Sequence, residues 1–402
     1  METREMITAE DEQPKLWNAN YTKIWLGNFM IFFSFMLLTP LLPLYLYDTF
    51  GADKHTIGVV LSGYTIMALI SRSFSGYVVD SFPRRNVLII SFTLFFAFFA
   101  GYIVAGSLIL FAIVRTLHGA PFGSVTVASS TVAIDVQHPS RRAEGIGYYG
   151  LSNNIATAIS PSVALWIYHA TGNFNVLFLI SMLVAACGMI IDTTVKIPQR
   201  ELVRSKAPLS FDRFFLLDGW RQALSMICLS MSYGVVSTYV AIYGRQQLGI
   251  ESGSGFFFLL LATGLILSRL TGGRQLRKGR VTHNASIGTC ISLCGYFLFA
   301  LMHNEIGYYG AALIIGLGNG HMYPAYQTMF INMAPNSRRG TANSTLLVSW
   351  DIGIGLGTLI GGMVAEYISY GAAFLTAACV NLTGVLIFFF VVKNHYNAHK
   401  LR

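Results

Sequence analysis

Twelve stretches of about twenty or more apolar residues follow one another along this 402-residue chain, near 22–46, 56–79, 86–106, 108–134, 143–168, 174–195, 219–243, 253–276, 281–302, 307–333, 341–367 and 370–392. A helix of that length crosses roughly 30 Å of hydrocarbon. Lipid offers the backbone no hydrogen-bond partners, so each run must satisfy its own amides as a helix. Only 11% of the residues are charged, against roughly 25% in soluble domains. The expectation is an all-α membrane protein with twelve transmembrane helices and lipids as its surroundings.

The first fifteen residues, METREMITAEDEQPK, are acidic, and the first apolar run has no small-residue cleavage site. That run is therefore expected to stay as the first span and not to act as a removable signal. The five cysteines (187, 228, 290, 294, 379) are odd in number and fall inside spans. They read as small buried hydrophobes, with no metal or redox role.

A formal net charge of +9 raises the question of nucleic acid. Its distribution argues against that. With the N-terminus in the cytoplasm, only Lys54 and Arg245 fall outside, and Arg72, Arg115 and Arg269 fall within spans. Every other Lys and Arg lies inside, including Arg141 and Arg142 after the fourth span and Arg338 and Arg339 after the tenth. This is the positive-inside pattern. It fits both termini in the cytoplasm and no nucleic-acid partner; the membrane is expected to be a plasma membrane, a bacterial inner one.

The longest interruption, KIPQRELVRSKAPLSFDRFFLLD at 196–218, is polar and basic and divides the spans six and six. It suggests an N-terminal bundle over 1–195, a cytoplasmic linker over 196–218 and a C-terminal bundle over 219–402. The halves answer each other at one interval. Arg72-x-x-x-Gly76 returns as Arg269-x-x-x-Gly273, PSRR at 139–142 as NSRR at 336–339, and Gly119 as Gly316, each 197 residues on. Two homologous six-helix halves of like orientation suit a carrier that rocks one bundle against the other about a central site.

The stretch GYVVDSFPRR (76–85) resembles the signature between spans two and three of the major facilitator superfamily, commonly Gly-x-x-x-Asp-Arg-x-Gly-Arg-Arg. Ser81 and Pro83 stand where Arg and Gly are usual. PSRRAEGIGYYGLSNNIATAISP (139–161) is similar to the fifth span of the drug:proton antiporter branch. GLGNGHMYPAYQTMF (316–330) and RRGTANSTLLVSWDIGIGLGTLIGG (338–362) are similar to spans ten and eleven of the same exporters. The resemblance covers essentially the whole chain and implies two pseudo-symmetric six-helix bundles and proton-coupled export.

Within that signature, Gly76 lets a neighbouring helix come close. Asp80, one turn on, is placed to accept hydrogen bonds from another helix's N-terminus and from arginines. Arg84 and Arg85 are placed to pair with acids such as Asp135. Gly76, Asp80, Arg84, Arg85 and Asp135 thus read as a cytoplasmic latch; the alternative is that Arg84 and Arg85 only hold the loop inside. The second half carries Arg277 in place of Asp80 and should lack a second latch. Arg72, about 12 Å above Asp80 along the helix, reads as packing support that faces the bundle or snorkels downward.

Asp351 lies twelve positions beyond Arg339, about 18 Å up its helix. It is the one carboxylate this reading puts near mid-bilayer, where an acid is a functional candidate by default. It is open to proton coupling, to permanent pairing with an arginine or a neutral partner, and to contact with a cationic substrate. His321 is a mid-span candidate for proton relay, or a packing residue. Arg115, with His118 one turn below, resembles the superfamily's buried span-four arginine, which implies coupling or recognition of substrate charge. The first span, FMIFFSFMLLTPLLPLYLY, has no acid before Asp48, so coupling must sit elsewhere. Asn153, Asn154, Asn319, Tyr323, Gln327 and Trp350 are expected to line a substrate cavity.

No Walker A loop, dinucleotide fingerprint or HExxH occurs, and GIGLGTLIGG lies inside a span, where helix packing explains it. No cofactor and no metal are expected, and the chain is not read as an enzyme. The leading expectation is a secondary active transporter, a monomer that exports small amphipathic molecules (drugs or metabolites) against protons. A sugar or organic-solute permease of the same fold is the alternative. A polytopic lipid-modifying enzyme using His118 or His321 with Asp351 is a remote third, since an enzyme has no need of matched halves.

Overall fold

The computed structural model describes residues 14–39, 41–52, 54–198, 214–250 and 253–401. The acidic start and most of the linker expected at 196–218 lie outside the described residues. The first span is α1 (Ala19–Leu38) followed by α2 (Leu42–Phe50). Then come α3 (Lys54–Ser81), α4 (Arg84–Val104), α5 (Leu108–Asp135), α6 (Arg142–Thr171) and α7 (Phe174–Thr193). The second six are α8 (Trp220–Gln247), α9 (Gly253–Arg277), α10 (Val281–Leu301), α11 (Glu305–Met333), α12 (Arg339–Tyr367) and α13 (Tyr370–Ile387). A π-helical turn, Phe388–Val392, carries α13 into α14 (Lys393–His399). The run at 22–46, read as one helix, is broken: Pro43 sits in the first turn of α2, where it has no N–H to give back to α1.

The 197-residue interval governs the local structure as well as the sequence. α4 and α10 begin and end 197 residues apart, and α5 and α11 begin 197 apart. Their caps match too: Ser107 accepts the Leu110 N–H at the start of α5, and Asn304 accepts that of Gly307 at the start of α11. Short 3-10 turns at Pro139–Arg141 and Asn336–Arg338 lead into α6 and α12. A Cβ on Gly119 would run into the Tyr64 carbonyl oxygen, and one on Gly316 into that of Leu261, again the same interval. Glycine there lets α5 close on α3 and α11 on α9.

The helices form two six-helix bundles. α1, α3, α4, α5, α6 and α7 pack with one another, as do α8 to α13. Each has its own aromatic interior: Phe92, Phe95, Phe99, Tyr102 and Phe111 in the first, Tyr243, Phe257, Phe299, Tyr308 and Phe374 in the second. Between bundles the main contacts are α3 against α12 and α6 against α9. Under the repeat α3 becomes α9 and α12 becomes α6, so these two seams are one contact seen twice.

Among the described residues, eight helices are long and apolar enough to cross a membrane by composition alone, or nine if a bent pair is joined. α3, α6 and α11 also carry polar side chains within their spans: Arg72 and Asp80, Asn153 and Asn154, and Asn319, His321 and Gln327. Such side chains lower the hydropathy of helices that face a partner bundle instead of lipid.

Candidate functional site between the bundles

The α3–α12 seam is tightest at the basic end of the molecule, where the arginine pairs lie. A Cβ on Gly76 would sit 2.6 Å from the Ser344 Cβ and 2.8 Å from the Gly340 carbonyl oxygen. One turn on, Asp80 accepts the backbone N–H of Gly340 at 2.9 Å and of Thr341 at 2.7 Å, and the Thr341 hydroxyl at 3.0 Å. First-turn N–H groups of a helix have no partner within it, and a carboxylate there is favoured by the helix dipole. Arg84 donates to Asp80 at 3.2 Å and ion-pairs with Asp135, which Arg339 of α12 reaches at 3.0 Å. A continuous charge chain, Asp80–Arg84–Asp135–Arg339, therefore crosses from one bundle to the other.

Arg85, expected in this cluster, lies outside it. Its Nη2 donates to the Thr193 carbonyl at the end of α7, 2.8 Å away. Neighbours on a helix point about 100° apart, so only one of the two arginines can face the seam. Arg277, where Asp80 would repeat, is exposed. The nearest atoms to a Cβ on Gly273 would be 3.8 and 3.9 Å away, so the second seam is looser at this end.

Above the basic end a cavity of about 310 Å³ opens between the bundles. Asn153 and Asn154 of α6, Asn319 and Tyr323 of α11, and Trp350 and Asp351 of α12 line it. Phe32 and Met36 of α1, Tyr233 of α8 and Leu265 of α9 supply apolar wall. The Trp350 ring meets Tyr323 edge-on at 5.1 Å and Tyr233 at 5.6 Å. Gln327, expected in this wall, lies one turn past Tyr323 toward the basic end. There it is buried and donates to Asn343 at 2.7 Å, and Asn343 in turn donates to Ser130 across the seam.

Two arginines, Arg72 and Arg269, also line the cavity. Arg72, read from the sequence as packing support, ion-pairs with Asp351 across the α3–α12 seam. Its Nε donates to the Thr126 hydroxyl at 3.3 Å. Arg269 donates from Nη1 to the Gly320 carbonyl at 2.7 Å. The two other coupling candidates lie elsewhere. Arg115 is buried inside the first bundle, its guanidinium 4.1 Å from the centre of the Tyr64 ring and 3.2 Å from the Tyr102 hydroxyl. His321 ties α9, α10 and α11 together, bonding Asn284 at 2.8 Å through Nδ1 and Thr271 at 3.1 Å through Nε2.

Sequence reading missed Arg339, Tyr233 and the cavity position of Arg269. The signal for Arg269 was present, since the repeat makes it the counterpart of Arg72. It also missed Asp192 near the end of α7, buried against Gly27 of α1, whose carboxylate has no hydrogen-bond partner among the described residues. Among the described residues no group of three or more His, Cys, Asp or Glu is placed to hold a metal ion. Chemically, the cavity is an aromatic chamber with two guanidinium groups, one carboxylate and three amides, an arrangement that binds and orients a small molecule.

A family model described as Major Facilitator Superfamily matches residues 24–358 and 309–401. The chain is 23% identical over 397 residues to the staphylopine export protein of Staphylococcus aureus (strain Mu50), covering 93% of this chain and 96% of that one. It is 22% identical over 399 residues to the multidrug resistance protein MdtG of Escherichia fergusonii, covering 95% and 96%. The crystal structure of the human organic anion transporter MFSD10 superposes with a TM-score of 0.79 at 16% identity, over 94% of this chain and 100% of that one. FucP in the outward conformation superposes with a TM-score of 0.77 at 14% identity, over 93% and 99%. At such identities the two structures speak for the fold.

Proposed function

We propose a transport cycle from one premise: the chain belongs to the Major Facilitator Superfamily. It is a multi-pass membrane transporter of small molecules. The finer reading is proton-coupled export of small amphipathic compounds by a monomer that works by alternating access. The bundles over 1–195 and 219–402 rock about the cavity, joined by the linker at 196–218, with the basic end and both termini in the cytoplasm of a bacterial inner membrane.

The observation that carries this reading is the Arg72–Asp351 pair, which joins the two bundles from within the cavity wall. With Asp351 ionised, the pair holds α3 to α12. A proton on the carboxyl removes the attraction and leaves Arg72 free to turn. Moving a two-state equilibrium from 1:99 to 99:1 takes about 5.5 kcal/mol, more than one partly wet ion pair supplies. The pair and the Asp80 latch must therefore change together, which their place on the same two helices allows.

The outward direction is supported by relatives named for export and for multidrug resistance. The amphipathic substrate is supported by the wall of Phe32, Tyr233, Tyr323 and Trp350 beside polar groups. The amides of Asn153, Asn154 and Asn319 favour a second reading, a permease for hydroxylated solutes. The sign of flux separates the two. Compound accumulation in an efflux-deficient host identifies a substrate, and proteoliposomes with an imposed pH gradient then test coupling. Asp351→Asn is expected to abolish proton-driven flux and to leave downhill exchange. Undiminished proton-driven flux would remove Asp351 from the mechanism.

A further inference from the structure

The two seams are images of each other, and the cavity charges break that symmetry. Arg72 on α3 corresponds to Arg269 on α9, and Asp351 on α12 corresponds to Asn154 on α6, both at the 197-residue interval. All four line one cavity. At the α3–α12 seam a guanidinium meets a carboxylate from the other bundle. At the α6–α9 seam the carboxylate is replaced by a neutral amide.

Arg269 is only 8% exposed. It makes no ion pair among the described residues. Apart from the bond of Nη1 to Gly320, its Nε has no hydrogen-bond partner there. Its guanidinium lies against two glycines of α6. A Cβ on Gly147 would sit 3.2 Å from Nη1, and one on Gly150 3.9 Å from Nη2. Asn154 follows Gly150 by one turn on the same cavity wall. A cation held within a membrane protein without a counter-charge is costly, as is leaving one partner of a buried pair alone. The opposite seam shows what relieves that cost, a carboxylate in the position that Asn154 occupies.

We propose that the cavity takes a small organic anion, a monocarboxylate with an aromatic body, whose carboxylate docks between Arg269 and Asn154 as Asp351 docks on Arg72. The guanidinium offers a forked donor edge suited to a carboxylate, and the aromatic body rests against Trp350, Tyr233 and Tyr323. A cation would meet an unbalanced arginine and is disfavoured. This deepens the transport reading by naming the charge of its substrate.

The test measures binding without transport. The purified protein in lipid nanodiscs is titrated by calorimetry with three compounds of one skeleton: indole-3-acetate, neutral indole-3-acetamide and cationic tryptamine. The acid is expected to bind roughly tenfold to a hundredfold tighter than the amide, the range of one charge-assisted hydrogen bond, with tryptamine weakest. Arg269→Gln should erase the preference. Asn154→Asp should erase it too, by completing the second Arg–Asp pair from within the chain, and without removing the arginine. Equal binding of acid and amide, tightest binding of tryptamine, or a preference that survives both substitutions overturns the proposal. An acid preference in a protein with no proton-driven flux sinks the coupling reading alone. Proton-driven flux without acid preference sinks this one alone.

Discussion

Asp80 and Thr341 are 261 positions apart in the chain, yet the carboxylate of one accepts the backbone N–H of the other at 2.7 Å. The contact joins the end of α3 to the beginning of α12. Eight residues back along α3 lies Arg72, and ten residues on along α12 lies Asp351, so the same two helices meet again at the cavity through a second pair of charges. A tilt that lifted α12 from α3 would break both contacts, so in the proposed cycle opening at the basic end and release of Asp351 from Arg72 would be one movement.

Asp80→Asn keeps the shape of the side chain and removes its charge. The loss is about 1.5–3 kcal/mol for hydrogen bonds to a charged acceptor, with about 0.3–1 kcal/mol more from the helix dipole. The closed form should lose roughly twentyfold to several-hundredfold in population. Spin labels at Asn86→Cys and Lys278→Cys, both exposed sites at the basic end, placed in a chain cleared of its five cysteines, should report a longer distance in the variant. An unchanged distance distribution would reduce the motif to orienting the loop.

Arg84 and Arg85 are neighbours with opposite consequences. Arg84→Ala strips Asp80 and Asp135 of a shared, buried partner and should cost about 3–5 kcal/mol in the closed form. Arg85→Ala removes one exposed bond to the Thr193 carbonyl and should stay within about 0.5 kcal/mol. Thermal unfolding in nanodiscs, with the same spin-label pair, compares them. Equal effects would mean that the charge of the loop matters and its geometry does not.

How much of this was legible depended on whether the signal was local. The helix-terminal role of Asp80 could be read because the Gly–Asp spacing places it at a span's end, where a charge needs a donor. The split between Arg84 and Arg85 could not, because both suit a loop and only the helix register decides which turns inward. Gln327 and Tyr323 share a helix face, since four residues is about one turn. Depth along that face then matters: at Tyr323 the bundles are apart, and at Gln327 they touch through Asn343. The pairing of Arg72 with Asp351 spans 279 positions, beyond any spacing rule. The repeat interval nevertheless maps Asp351 onto Asn154 and Arg72 onto Arg269, so the broken symmetry of the cavity was written in the sequence once the interval was applied to charges and not only to glycines.

His321 gives a contrast with Asp351. It is held on both ring nitrogens by neighbours in its own bundle, and Gly272 is cleared for it, since a Cβ there would sit 2.6 Å from Nδ1. His321→Asn should cost about 1–3 kcal/mol of stability through the unsatisfied Asn284 and Thr271 groups. Proton-driven flux per folded molecule should be unaltered across pH. A shifted pH profile in the variant would bring His321 back as a relay.

The cavity pair can be separated into its structural and its coupling roles by neutralising each member alone and both together. Arg72→Gln leaves the Asp351 carboxyl without its partner, and Asp351→Asn leaves Arg72 charged in the wall. Full burial would make either loss about 3–5 kcal/mol. The Asp351 side chain is 21% exposed, and water reaching it trims the cost toward about 1–3 kcal/mol. The double variant carries neither charge, so its loss should fall short of the sum of the singles by about 0.5–3 kcal/mol, the coupling of groups in direct contact. Strict additivity of the unfolding temperatures would show that the two charges do not sense each other. Flux then tells the roles apart. A pair that only held the bundles together would let the stable double variant regain proton-driven transport. A carboxyl that carries the proton cannot be replaced by restoring stability, so the double variant should fold well, exchange substrate downhill and remain uncoupled.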